Sequence, residues 1–328
     1  MSLLLEHVTA VTMDSAQPVL KDAFVAVEGT KIASVGTARP QGEFDRVIDG
    51  TGKVLMPGLV NAHTHIPMTL LRGYGGGCDL HTWLNQYIFP AEARLDSRAV
   101  AAGAGLGLAE MIASGVTCVA DMYMHTGTIA EQILEAGISA NLSCGGVYFG
   151  APEDFSPETC GDCRNQAALT EEWHGAGAGQ ILVDASVHGE YTSNPPLWRW
   201  MAEYAAEHRL GMHVHVSETQ SEHQASLERW GKTPIQALDG CGVWDCGRSL
   251  AAHCVYTTEE DWALMAEKGI SCVHNPWSNL KLGSGVAPIP AMMRAGVNVA
   301  LGTDGMSSHN SADFFSDIKL AAVLHNGV

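Results

Sequence analysis

The sequence is poor in basic residues and has no long apolar run. Lys and Arg number 18 against 36 Asp and Glu, which gives a formal net charge of −18. A surface this acidic repels phosphate backbones, so we expect no nucleic-acid partner. No stretch approaches the roughly 18 uninterrupted apolar residues of a membrane span, so we expect no membrane partner either. The stretch from Met1 to Glu6 lacks the basic region of a signal peptide, which predicts a cytoplasmic protein.

Charged residues as a whole are also scarce. They make up 16% of the 328 positions, whereas apolar residues make up 46%. This composition excludes a disordered chain and is sufficient for one large α/β domain with a small appendage. The nine cysteines are expected to be reduced thiols, because disulfides are rare in cytosolic proteins.

The apolar runs divide the chain near residue 56. Residues 1–55 contain short strand-like runs, such as 23–27 and 31–35. In residues 56–328, eight short runs alternate with longer helix-like segments. These runs are 59–62, 116–120, 138–142, 181–187, 212–216, 250–253, 270–273 and 297–301. The alternation predicts an α/β fold, a (β/α)8 TIM-type barrel with an outer ring of helices.

Polar residues lie at or just beyond the carboxyl ends of seven of these runs. In parallel barrels the chemistry is built on that rim. The barrel is inferred from the apolar residues and the rim from the polar ones, so their agreement supports both. The rim residues are His63, His65, Asp121, His188, His215, Glu218, His253, His274, Asn275 and Asp304.

A metal site is predicted from four of these residues. In His63-Thr64-His65 the two histidines are two residues apart at a strand end, so both rings can reach one ion. Such a triplet alone is weak and equally typical of ordinary loop histidines. His215 adds a third nitrogen and Asp304 a carboxylate, each from another strand end. Three nitrogens and one carboxylate suit zinc or iron better than magnesium or calcium, so we expect one divalent metal per chain, zinc before iron.

Two further rim residues are candidates for catalysis. A divalent ion lowers the pKa of its bound water toward about 7. Glu218 lies just beyond His215, where it can carry protons from that water to the substrate and the leaving group. His253 ends the sixth run and is placed to orient the attacking water. His213 lies on the same strand face as His215 but deeper, so we expect it to be packed or to support a ligand.

Five segments resemble the amidohydrolase superfamily, specifically its mononuclear aminohydrolase branch. That branch includes the deaminases of S-adenosylhomocysteine, 5′-methylthioadenosine and 5′-deoxyadenosine, with triazine chlorohydrolases as neighbours. The resemblance extends from about Val54 to Ser316. It implies hydrolytic removal of the 6-amino group of an adenine nucleoside as ammonia. The segments that carry it are 57–65, 89–95, 213–219, 252–255 and 274–285.

The resemblance also assigns roles to individual residues. It implies that Glu92 hydrogen-bonds the ribose hydroxyls and that His188 contacts the substrate. From the residues alone, Glu92 is more typical of a solvated helix and His188 of a loop. The remaining roles match those inferred above: metal ligation by His63, His65, His215 and Asp304, and catalysis by Glu218 and His253.

Departures from the family pattern concern the substrate more than the chemistry. The family commonly has Pro-Tyr after its equivalent of His188, where this chain has Gly189-Glu190, and Trp277 replaces a smaller residue. We expect both positions near the pocket. The segment 147–180 offers Arg164 alone against six acidic residues. A carboxylate tail needs arginine partners, so we expect a substrate with a neutral 5′ group.

The resemblance also bears on the two ends of the chain. Members usually continue with strands that join the N-terminal ones in a small β-sandwich. After Asp304, residues 311–325 can form a last barrel helix. We therefore expect residues 1–55 to be the N-terminal part of a small β-sandwich whose C-terminal half is missing, in a fragment or a truncated reading frame. Residues 56–328 are expected to be the metal-dependent barrel.

Two other functions remain open from the sequence. The first is deamination or dechlorination of a triazine or pterin ring, which would use the same metal and carboxylate. Glu92 disfavours it, because a ribose contact has no purpose there. The second is an inactive, truncated metal-binding homologue, which the complete ligand set disfavours. The expected partners are a small nucleoside and water, with a homo-oligomer left open.

Overall fold

The computed structural model describes residues 1–326, and the chain divides between Gly58 and Leu59 into two compact units. The first unit is one five-stranded sheet. Its strands are β1 (Ser2–Val11), β2 (Val19–Glu28), β3 (Lys31–Gly36), β4 (Arg46–Asp49) and β5 (Val54–Leu55). The order is β3-β2-β1-β4, and β5 also pairs with β1. Gly29 has a φ of 60°, a conformation that suits glycine and lets β2 turn back into β3.

The second unit contains two five-stranded parallel sheets, ordered β15-β6-β7-β8-β9 and β10-β11-β12-β13-β14. Every strand in them pairs in the parallel sense. The strands are β6 (Leu59–His65), β7 (Val116–Met122), β8 (Ser139–Ser143), β9 (Ile181–Val183), β10 (Ala185–Gly189), β11 (Met212–Val216), β12 (Ser249–His253), β13 (Ile270–His274), β14 (Val299–Leu301) and β15 (Asp304–Gly305).

The two sheets join into one ring. The fourth predicted run is interrupted at Asp184, whose N–H donates to the Leu142 carbonyl oxygen at 2.9 Å. The eighth is interrupted after Leu301, where the Gly302 N–H donates to the His274 carbonyl oxygen at 3.0 Å. With β9 and β10 counted as one strand, and β14 and β15 as another, eight parallel strands close on themselves. The prediction of an α/β TIM-type barrel is confirmed.

Helices follow the barrel strands, and their ends are set by local chemistry. In α10 the Thr258 side chain accepts from the Asp261 N–H and the Asp261 carboxylate accepts from the Thr258 N–H, a capping box. Gly269 ends the same helix at a φ of 67°, which glycine adopts without strain. The helix-like segments of the sequence include 99–111, 197–207, 258–266 and 289–295, and each forms a helix whose ends differ from these bounds by at most two residues. The helices are α1 (Leu80–Trp83), α2 (Phe89–Glu92), α3 (Ser97–Ala113), α4 (Thr126–Ala136), α5 (Gly161–Trp173), α6 (Ala176–Gly179), α7 (Pro195–His208), α8 (Gln220–Trp230), α9 (Pro234–Asp239), α10 (Glu259–Lys268), α11 (Pro276–Lys281), α12 (Ile289–Arg294), α13 (Met306–His309) and α14 (Phe314–Leu324).

The barrel wall positions the rim residues by alternation along each strand. All five residues of β11 are buried. Met212 and Val214 pack with Trp198 of α7 in one apolar cluster. His213, from the opposite face of the strand, meets the side chain of a β6 histidine. Strand period therefore sends apolar side chains toward the helices and imidazoles into the barrel. Within residues 1–326, no helix is both long and apolar enough to cross a membrane.

Candidate metal centre and active site

The paired histidines at the end of β6 are held by the end of β7. The His65 Nδ1–H donates to the Met122 carbonyl oxygen at 2.5 Å. One residue further on, the Ile66 N–H donates to Asp121 Oδ1 at 2.7 Å. Burial raises the pKa of Asp121 to about 7, against the opposing effect of the Ile66 hydrogen bond. These two contacts fix the direction in which the His65 ring points.

The ring of His63 is held by His213, the histidine that lies deeper in the barrel on β11. Its Nδ1 lies 2.8 Å from His213 Nε2, and His213 Nδ1 in turn lies 3.4 Å from Ser143 Oγ. Burial lowers the pKa of His63 to about 3 and that of His213 well below its usual value. Both rings are therefore neutral, and His63 Nε2 has no hydrogen-bond partner among the described residues. A buried, neutral nitrogen in this state is a ready metal ligand.

His215 completes a set of three imidazoles. Its Nδ1–H donates to the His188 carbonyl oxygen at 2.7 Å, and its Nε2 lies 3.2 Å from His65 Nε2. Both Nδ1 atoms donate to carbonyls, so each ring turns its Nε2 into this gap. The contact is favourable only with a proton or a metal ion between the two nitrogens. The donor set therefore fits a cation.

Asp304 supplies the negative charge beside these rings. Its Oδ1 lies 3.1 Å from His65 Nε2 and 3.4 Å from His63 Nε2. Its Oδ2 accepts from the hydroxyls of Ser278 at 2.5 Å and Ser308 at 2.9 Å. Burial alone would raise the pKa of Asp304, but the two histidines outweigh burial and hold it well below its usual range. The same carboxylate overcomes the effect of burial on His65 and raises the pKa of that ring to about 9.

The structure brings all four predicted ligands together. The donor atoms of His63, His65 and Asp304 lie within 4.8 Å of one another, and those of His63, His215 and His253 do so as well. Zinc binds such nitrogen and oxygen donors at about 2.0–2.2 Å, so atoms at this spacing can surround one ion. Three nitrogens and a carboxylate favour a transition metal over magnesium or calcium.

The two catalytic candidates lie beside this cluster. Glu218 is 3% exposed, and its Oε2 lies 3.7 Å from His253 Nε2. Its Oε1 accepts from the Ser284 hydroxyl at 3.2 Å. Burial raises the pKa of Glu218, a change that His253 opposes. A buried carboxylate that faces an imidazole beside this group of candidate ligands is suited to proton transfer.

Glu222 holds the Glu218 loop in place and was not singled out from the sequence. Its carboxylate accepts from the N–H groups of Ser217 at 2.8 Å and Glu218 at 2.7 Å. Ser217 has a φ of 51°, in the left-handed region that non-glycine residues seldom adopt. The sequence could have indicated Glu222, because Thr219 and Glu222 have the spacing of a capping box at the start of α8.

One cavity of about 280 Å³ opens onto the cluster. Seven of the eight predicted site residues line it: His65, Glu92, His188, His215, Glu218, His253 and Asp304. His63 lies deeper and is fully buried. The segment 83–89 supplies an apolar wall of Trp83, Leu84, Ile88 and Phe89. The structure therefore brings the metal, catalytic and substrate candidates to a single pocket.

The interpretation of Glu92 as a solvated helix residue is wrong, because its side chain is only 8% exposed. Burial raises the pKa of Glu92, and the neighbouring Tyr123 opposes that change. Tyr123 and Asp162 also line the cavity but were missed, because an aromatic residue after a strand and an acid in a polar helix are common. His188 lines the cavity as expected, whereas Trp277 does not line it: it is 41% exposed and packs near His309.

Comparisons with known proteins agree with this geometry. The model of the amidohydrolase family matches residues 54–328. A 5-methylthioadenosine/S-adenosylhomocysteine deaminase of Thermoanaerobacter pseudethanolicus is 38% identical over 328 residues, which cover 100% of this chain and 75% of that protein. A 5′-deoxyadenosine deaminase of Methanothermobacter thermautotrophicus is 41% identical over 300 residues, 92% of this chain and 69% of that protein. The crystal structure of an adenosine deaminase from Xanthomonas campestris with bound zinc superposes with a TM-score of 0.91 at 34% identity, covering 99% of this chain and 74% of that one.

Proposed function

The chain belongs to the amidohydrolase family, and from that premise we propose that it hydrolyses the 6-amino group of an adenine nucleoside and releases ammonia. The observation that carries the proposal is the single pocket in which Glu92, Glu218 and the histidine cluster meet. Relatives 38–41% identical are named as deaminases of such nucleosides.

We propose that His63, His65, His215 and Asp304 hold one divalent ion, zinc before iron. The unpartnered His63 Nε2 and the facing Nε2 atoms of His65 and His215 support this ligand set. An ion there would act as a Lewis acid that makes water easy to deprotonate near neutral pH.

The chain's own groups then move the protons. Glu218 accepts one proton of the attacking water as the water oxygen bonds to C6, and delivers that proton to N1 of the purine ring. It then carries the second proton of the same water to the amino group, which leaves as ammonia when the C6–N bond breaks. Its burial excludes bulk water from that transfer. His253 faces the same space, 3.7 Å from Glu218, and orients the attacking oxygen.

The rest of the nucleoside is bound by the pocket walls. Glu92 accepts hydrogen bonds from the 2′- and 3′-hydroxyls, with Tyr123 beside it. The apolar wall contributed by Trp83 and Phe89 packs against the flat base. His188 contacts the substrate beside them: its Nδ1 is held 3.1 Å from Thr192 Oγ1, and burial lowers the pKa of its ring to about 4, so it acts as a neutral donor or acceptor.

We infer that the preferred substrate has a neutral 5′ group. None of the described residues that line the cavity is Lys or Arg, and Asp162 lies in its wall. Asp162 Oδ2 accepts from the Val147 N–H at 2.8 Å, which fixes this acid in place. A carboxylate such as that of S-adenosylhomocysteine would meet no cation there.

The test is a substrate panel read by ammonia release. We expect kcat/KM for 5′-deoxyadenosine and 5′-methylthioadenosine to exceed that for S-adenosylhomocysteine. Asp162→Asn should bring these kcat/KM values closer together. Equal kcat/KM with S-adenosylhomocysteine would refute the electrostatic argument about the 5′ group but would still agree with the proposed deaminase activity. Turnover of a triazine or pterin and of no nucleoside would overturn the substrate class.

We further infer that the sheet of residues 1–55 belongs to a small β-sandwich domain separate from the barrel of residues 56–328. The supporting observation is that β1 to β5 form a sheet and apolar clusters of their own. Limited proteolysis between residues 55 and 60 is expected to release a folded barrel unit.

A further inference from the structure

One segment that carries none of the proposed ligands touches both catalytic candidates. The Asn279 side chain, in α11, places Oδ1 2.8 Å from His253 Nδ1. The Ser284 hydroxyl, three residues beyond the end of α11, donates to Glu218 Oε1 at 3.2 Å. Asn279 is fully buried and Ser284 is 2% exposed, so water does not compete for either contact.

The backbone ties these two contacts to each other. The Asn279 carbonyl oxygen accepts from the N–H of Ser284 at 2.8 Å and from that of Gly285 at 3.4 Å. Gly285 has a φ of 125°, and a Cβ there would lie 3.0 Å from Val255, so the tight return of the chain requires glycine. The Asn279 N–H donates to the Asn275 carbonyl at 3.0 Å, which anchors the segment at the end of β13.

The Asn279 contact also selects a form of the His253 ring. An amide oxygen can only accept, so it favours the tautomer with the proton on Nδ1 and leaves the Nε2 lone pair facing Glu218. Asn275 Nδ2, a donor, also approaches Nδ1, but at 3.4 Å. The shorter contact to an acceptor dominates.

We propose that Asn279 and Ser284 form one positioning unit that fixes the separation and the ring form of the pair His253 and Glu218. The consequence for turnover rests on the proposed deaminase function, whereas the ring form does not. The unit acts through other residues: neither side chain lines the cavity described above.

The first experiment is a double-mutant cycle. Ser284→Ala should lower kcat roughly tenfold, which is about 1.4 kcal/mol of activation free energy, with KM changed less than about twofold. Ser307→Ala is the matched control, because Ser307 is equally buried and its hydroxyl has no partner among the described residues. In a Glu218→Gln background, Ser284→Ala should lower kcat by less than about a further twofold, because Ser284 acts through the Glu218 carboxylate.

An undiminished tenfold loss in the Glu218→Gln background would overturn the Ser284 half of the proposal. So would equal losses from Ser284→Ala and Ser307→Ala. A chain that deaminates no nucleoside counts against the proposed function instead, and the second experiment then decides.

The second experiment reads the His253 ring directly by ¹⁵N NMR of histidine-labelled, zinc-loaded protein. We expect the Nδ1–H form in the unsubstituted chain and in Asn279→Asp, which keeps the acceptor, and its loss in Asn279→Ala. An Nε2–H ring in the unsubstituted protein would overturn the proposal without any variant. An unchanged ring in a folded Asn279→Ala protein would do so as well.

Discussion

Replacing Glu218 by Gln removes the proposed proton carrier and keeps the shape of the side chain. The amide oxygen can still accept from the Ser284 hydroxyl, which lies 3.2 Å from the carboxylate, so the loop should stay in place. General acid–base groups contribute about 10²–10⁴-fold, which is about 2.7–5.4 kcal/mol of activation free energy. Glu218 is 3% exposed, so bulk water cannot replace it, and we expect the upper half of that range.

The assay is steady-state ammonia release from 5′-deoxyadenosine, with metal content measured on the same preparation. The metal should remain, because Glu218 belongs to neither group of donor atoms. The melting temperature should be unchanged or higher, because a neutral amide costs less to bury than a carboxylate. Asp317→Asn is a suitable control, since it exchanges a buried carboxylate, paired with His309 at 2.9 Å, outside the pocket. Near-normal turnover in a metal-loaded Glu218→Gln protein would refute Glu218 as the proton carrier.

Three other outcomes are expected. Elemental analysis should find about one equivalent of zinc or iron per chain, and His215→Ala should lose it; no metal, with activity indifferent to chelators, would exclude the metal mechanism. Glu92→Gln should lower kcat/KM for nucleosides by roughly 10-fold or more but change kcat/KM for a 2′,3′-dideoxy analogue little, because the lost hydrogen bonds are to the ribose hydroxyls. Equal losses for the two substrates would show that Glu92 does not bind the ribose. Arg229→Met should lower the free energy of unfolding by about 2 kcal/mol, measured by urea denaturation, because it strips the buried Glu190 carboxylate of its partner at 2.6 Å; no change would mean that Trp230, which also donates to Glu190, is sufficient.

That the proposed ligand residues lie close together could be predicted, because strand geometry alone places them. Residues at the carboxyl ends of parallel strands share one rim, and the period of two directs His63 and His65 inward together. The interruption at Asp184 could not be predicted, because 181–187 is an unbroken strand-like run. Its carboxylate accepts from the Gly211 N–H and from Arg248 at 2.9 and 2.8 Å, and from Asn141. Those partners come from three other parts of the chain, so only the folded structure shows why the strand breaks there.

The contacts that hold the proposed catalytic pair show a second limit of prediction from sequence patterns. Asn279 and His253 are 26 residues apart, and Ser284 and Glu218 are 66 apart. No periodicity links such positions, and a polar stretch such as 278–285 is typical of any surface loop. Ligands must project from rigid strand ends, so their pattern is local and visible in the sequence. The groups that orient catalytic side chains need only reach them from any neighbouring loop, so a short contact to a buried partner is the observation that identifies them.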